Sequence, residues 1–151
     1  MSNVSTIHDT LLSSLASLFS TMTRIPNPYS LEDNQNVLLK SGFGLKMNGT
    51  NFADSEFCTY SYTADFGVIF SKEVVMLGND EDGFDTAVKA LLEASNTLQL
   101  NWLTNSQIGI ESNITQVNFI NTSGIDFVVA GKSKFVTIEV AFSIQIRENL
   151  S

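Results

Sequence analysis

A chain of 151 residues is one domain by size, and folding at this length buries roughly 68–70% of the unfolded surface, enough to need no disulfide or metal. Sixteen acids against eight bases give a net charge of −8, which argues against nucleic-acid binding, because that rests on neutralising phosphates with Lys and Arg. Charged residues make up only 16% of the chain, with Ser, Thr and Asn in their place; such a surface costs less to desolvate than one of Lys and Glu, which suits burial in an assembly.

The first periodic segment sets Ile7, Leu11, Leu15, Leu18, Phe19 and Met22 on one helical face, with Thr6 as N-cap and Asp9 three residues on. This predicts a helix over 7–22. Its other face carries Thr10, Ser13, Ser14, Ser17, Ser20 and Thr21. These are mediocre helix formers, which points to packing rather than free exposure. Because serines interrupt this segment and no Lys or Arg precedes Ile7, neither a secretory signal nor a membrane span is expected, and a cytoplasmic product is the default. The N-x-S/T triplets at Asn3, Asn48, Asn113 and Asn121 then carry no message.

Residues 24–36 hold both prolines and no usable period, so they read as a loop leading to the sheet. Val37, Leu39, Phe43, Leu45 and Met47 share a parity and predict a strand, loosened by Gly42 and Gly44; residues 48–56 are expected to turn the chain. From 57 to 70, Cys58, Tyr60, Tyr62, Ala64, Phe66, Val68 and Phe70 alternate with Thr59, Ser61, Thr63, Asp65, Gly67 and Ile69. Two long strands so joined imply an antiparallel pair. Cys58, the lone cysteine, reads as a small buried hydrophobe.

The stretch NDEDGFD, 79–85, opens a second helix whose apolar positions are Phe84, Ala87, Val88, Leu91, Leu92, Leu98 and Trp102. Acids crowded at a helix start supply caps and interact well with its dipole. Three β-rich stretches follow, at 114–120, 125–129 and 134–148, with turns at 121–124 and 131–133 and a bulge near Gln116. In the last stretch Val136, Ile138, Val140, Phe142, Ile144 and Ile146 alternate with Thr137, Glu139, Ala141, Ser143, Gln145 and Arg147. The expected architecture is α+β: a mainly antiparallel sheet of four or five strands with two helices packed on one face, in α-β-β-α-β-β order, as a single domain over 1–151. The polar parity of the last strand is then left on the uncovered face.

The candidate chemical motifs fail on context. Gly42-Phe-Gly44 has Met47 at the third glycine position and no helix after it, and Gly131-Lys-Ser133 lacks its leading glycine, so both read as turns. The acids Asp80, Glu81, Asp82 and Asp85 would place Phe84 at a ligand position of an EF-hand loop, and capping accounts for them with fewer demands. His8, the one histidine, makes neither a zinc site nor a supported triad. Tyr60 and Tyr62 lack the basic neighbours of a base-stacking platform. No catalytic residue, cofactor or metal is expected.

Taken together, the Pro-containing loop leading into LEDNQNVLLKSGFGLKM, the strand FCTYSYTADFGVIF and the acidic start of the second helix give an order of elements over roughly residues 5–147 that resembles the tail terminator (tail completion) proteins of long-tailed bacteriophages. The resemblance lies in element order and size and not in a diagnostic motif. It implies a homohexameric ring, without an active site, that caps the last ring of the tail tube and joins the tail to the neck. It also implies a place in the virion after assembly in the host cytoplasm, with DNA passing through an acidic lumen unbound. The family has no residue code to carry over. On physical grounds the loop acids Glu32, Asp33, Asp80, Glu81 and Asp82 are candidates for the lumen or a subunit contact, and Thr137, Glu139, Ser143, Gln145 and Arg147 for a contact on the uncovered face. The competing readings are another neck or tail-tube component, and a small-molecule-binding domain or enzyme that uses that face as a pocket floor.

Overall fold

The computed structural model describes residues 4–31, 41–56, 59–75, 81–104, 114–130 and 133–149. The elements run α1 (Val4–Leu18), β1 (Thr23–Arg24), β2 (Ser41–Glu56), β3 (Thr59–Glu73), α2 (Glu81–Thr104), β4 (Ile114–Thr122), β5 (Asp126–Ala130) and β6 (Ser133–Asn149). The class is α+β, as the periodicities predict. Among the described residues the sheet has six strands, not four or five, and is mixed: β1 joins β2 in parallel, and all other pairs are antiparallel. Its order is β1-β2-β3-β6-β4, with β5 also on β6.

The core lies between the helices and one sheet face. Ile7, Leu11 and Leu15 of α1 and Ala87, Leu91, Leu98 and Trp102 of α2 share one buried cluster with Phe43 and Leu45 of β2, Tyr62, Ala64, Phe66, Val68 and Phe70 of β3, and the even-numbered run 136–146 of β6. That run is the purest alternation in the chain, and all six of its side chains are at most 2% exposed. Phe142 is the hub: its ring centroid lies 5.7 Å from Phe66, 5.1 Å from Trp102 and 5.7 Å from Phe119. The helices also meet through a polar contact, in which Trp102 Nε1 donates to Ser14 Oγ at 3.1 Å. A buried indole N–H needs such an acceptor.

Several boundaries depart from expectation. α1 begins at Val4, so Thr6 lies inside the helix and not at its cap, and its carbonyl accepts the Thr10 hydroxyl at 3.0 Å. The helix ends at Leu18 rather than 22; Phe19 and Met22 continue the apolar spacing because they pack on the core from the turn that follows. Of the serines opposite, Ser13, Ser17 and Ser20 are exposed, and only Ser14 finds the neighbouring helix. In α2, Leu92 and Leu100 stay 51% and 55% exposed.

Residues 48–56 do not turn the chain; they extend β2, which pairs with β3 as far as Glu56 opposite Thr59. Register shifts at Met47/Gly49 and Phe52/Asp54, with Gly49 at φ 139°, each insert a residue and hide the two-residue period. Residues 121–124 are not a hairpin turn either. β5 follows β4 along the same edge of β6, so residues 114–130 run in one direction beside it. Between them the Ser123 N–H donates to the Glu139 carbonyl at 2.8 Å, and Ser123 Oγ accepts the Glu139 N–H at 2.9 Å. The side chain thus replaces a missing carbonyl in the ladder, which is why a turn-like sequence stays in the sheet. The expected bulge near Gln116 is present, as a register shift between Ile114 and Gln116. Ala130 pairs with Ser133, the register of a hairpin whose turn residues, 131–132, lie outside the described residues, as do Val37, Leu39 and Cys58.

Candidate functional site

The second face of the sheet is the surface that the helices leave alone, and the structure divides it in two. One half is sealed. After β1 the chain lays Ile25, Pro28 and Leu31 against it, and Ile25 forms a small second core with Ile69 and Phe135, onto which Leu31 and Val128 pack. Gly42 and Gly44 make this approach possible: a Cβ at Gly42 would stand 2.9 Å from Ile25 Cγ1, and one at Gly44 2.9 Å from Pro28 Cβ. The expectation of a bare face therefore fails here. Thr137, placed among the contact candidates, is 4% exposed, and Ser71 opposite it is fully buried.

The boundary of the sealed half is an ion pair that spans three strands. Lys46 Nζ on β2 lies 2.6 Å from Glu139 Oε1 on β6, across β3. The residue of β3 between them is Gly67, opposite Lys46 in one register and, in the other, opposite Ala141, two residues from Glu139 on the same face. A Cβ there would meet Glu139 Cδ at 2.9 Å. Glycine inside a strand is otherwise weakening, and its place here is to let a carboxylate lie on the backbone. Both charged side chains are about a quarter exposed, so water moderates the attraction without filling the space between them.

The other half of this face is polar and half-buried. It holds Ser61, Thr63 and Asp65 of β3 and Ala141, Ser143 and Gln145 of β6, with Arg147 exposed beyond them. Asp65 Oδ2 accepts from Asn51 Nδ2 at 2.9 Å. At the end of the same strands but on the helix side, Tyr62 donates its hydroxyl to Glu148 Oε1 at 3.2 Å and stacks on Tyr60 at 5.1 Å. Burial, with the Glu148 carboxylate beside it, pushes the Tyr62 phenol well above its ordinary value.

Of the sequence-derived candidates, Glu139, Gln145 and Arg147 thus share this face, with Glu139 committed to Lys46. Glu32, Asp33 and Asp80 lie outside the described residues, and of Glu81 and Asp82 only the backbone that opens α2 is described. Lys46, Gly67, Asp65 and Asn51 were missed by sequence reasoning; the signal available was a glycine in mid-strand opposite an isolated lysine. Among the described residues no three His, Cys, Asp or Glu side chains are placed to hold a metal ion. His8 sits on α1 with Nδ1 3.7 Å from its neighbour Asp9 and its ring 6.4 Å from Phe66. Among the described residues, no helix is long and apolar enough to cross a membrane. What the face offers chemically is a field of short hydroxyl, amide and carboxylate groups on a rigid sheet. No protein-family model matches the chain, and no curated protein sequence matches it.

Proposed function

We propose that the protein is a structural component of a phage virion: a ring-forming tail terminator that caps the tail tube and joins it to the neck, without catalytic activity. The observation that carries this reading is the half-polar second face. Hydroxyls and amides on a stiff sheet are poorly shaped as a pocket floor, and they are cheap to desolvate against a neighbouring subunit. The low overall charge supports the same reading. In it, Ser143, Gln145 and Arg147 lie at the subunit contact, whereas Glu139 and Lys46 stiffen its border. The acids Glu32, Asp33, Asp80, Glu81 and Asp82 line the lumen or a second contact. A net charge of −8 per subunit, multiplied around a hexamer, repels DNA phosphates and lets the genome pass unbound. The partners are further copies of this chain, the tail-tube protein and the neck or head-completion protein, met as the virion tail assembles in the host cytoplasm.

The test is the native mass of the purified protein by light scattering at low and high salt, with electron microscopy of the same sample. A six-fold ring, or a monomer that becomes one on addition of phage tail tubes, supports the reading. A strict monomer that ignores tubes and gains thermal stability from a small molecule overturns it.

A further inference from the structure

An open sheet has two edges, and each presents unpaired N–H and C=O groups to any passing strand. Here the edges differ. The β4–β5 edge has no strand outside it among the described residues, and it exposes Ile120, Ile125, Phe127 and Val129 by 41–60%. The opposite edge is the outer side of β2. Two unlike edges on one molecule fit head to tail, and a head-to-tail contact that does not close into a ring grows without limit. A soluble subunit with this sheet needs one edge blocked.

Residues 23–29 occupy the β2 edge. Thr23 and Arg24 pair in parallel with Gly42 and Phe43. The Ile25 N–H donates to the Phe43 carbonyl at 2.7 Å, and four residues later Tyr29 Oη accepts the outward Met47 N–H at 3.0 Å. Tyr29 remains 63% exposed, so burial of its ring does not explain its position. The Asn27 side chain fixes the bend by accepting the Tyr29 N–H at 3.1 Å. Beyond Met47 the two bulges of β2 break the ladder. We propose that residues 23–31 are an edge guard: they hold the outer edge of β2 away from the β4–β5 edge of a second copy. Ile25 and Pro28 clamp the guard onto the glycine floor, and the Tyr29 hydroxyl closes its end. The guard acts whether or not the protein forms a ring of fixed size.

Gly44→Ala and Tyr29→Ala test this from opposite sides, because the first lifts the guard at Pro28 while keeping all its side chains. Both are compared with wild type by circular dichroism, amide exchange at Met47, and sedimentation over a range of concentration. We expect both to stay folded and the Met47 amide to exchange about tenfold faster or more, as loss of a ~1.4 kcal/mol protecting bond implies. We expect mass to climb continuously with concentration beyond that of wild type, and adding Phe127→Lys to reverse the climb. Should either alanine variant fold poorly, Tyr29→Phe removes only the hydroxyl and is read in the same three ways. Folded variants with an exposed Met47 amide and wild-type masses overturn the proposal, as does an unchanged Met47 amide or a wild type that already grows without limit. A wild-type ring or a wild-type monomer leaves the comparison intact, so the tail-terminator reading and this one fail separately.

Discussion

Gly67 and Tyr62 show how single residues on β3 set the character of each face. Gly67→Ala places a methyl 2.9 Å from Glu139 Cδ, so the carboxylate must leave the backbone and Lys46. The displaced group is the end of a flexible, part-exposed side chain, so the cost is that of the lost ion pair, up to about 1 kcal/mol, and a drop of that size in urea unfolding is expected, with most of it absent when Glu139→Ala is already present. Tyr62 carries a pH dependence. Its folded phenol is raised above its ordinary value of 10.0, so between those two points the folded state holds a proton that the unfolded state releases. Its contribution is full below pH 10 and is lost as pH rises through the folded value. Stability should fall above about pH 10 by up to ~1.4 kcal/mol per pH unit. Tyr62→Phe should flatten that fall in thermal melts taken between pH 9 and 11.

At the scale of elements, the junction of β4 and β5 is the instructive case. The sequence Asn121-Thr-Ser-Gly124 has turn composition, and by local rules it ends a strand. The structure keeps it on the edge because Ser123 supplies through its side chain the acceptor that the Glu139 N–H would otherwise lack. Ser123→Ala removes that acceptor and leaves a part-buried donor unpaired, at a cost of about 1–3 kcal/mol. Faster amide exchange at Glu139, with β6 unchanged nearer its end, would confirm the role; an unchanged rate would refute it. α1 makes a related point, since its apolar period runs past the helix end. Phe19 stacks edge-on against Phe70 at 5.0 Å from a turn, and a hydrophobic period reports which residues reach the core rather than how the backbone gets there.

For the whole molecule, the stability rests on one helix-to-sheet core centred on Phe142, with the smaller cluster under Ile25 as a satellite. Phe142 is fully buried and touches strands on both sides and a helix above. Phe142→Ala should cost about 3–5 kcal/mol, a large share of the 5–15 kcal/mol that holds a typical domain together. The expected result is a single cooperative urea transition at a much lower midpoint. Ile25→Ala should cost less and act mainly on the second face, and equal losses would mean that the two clusters are one unit.

By itself the sequence determined the class of the fold, the pairing of β2 with β3, the helix-facing side of β6 and the charge that disfavours nucleic acid. Each follows from local alternation or composition, which burial on one face imposes residue by residue. Only the tertiary structure decided the number and order of the strands, the continuation of β2 through 48–56, the passage of residues 25–31 over the second face and the partner of Glu139. Bulges erase the period that sequence reading depends on. Residues 25–31 and the ion pair bring together positions far apart in the chain, such as Lys46 and Glu139, whose proximity exists only once β3 has been placed between them.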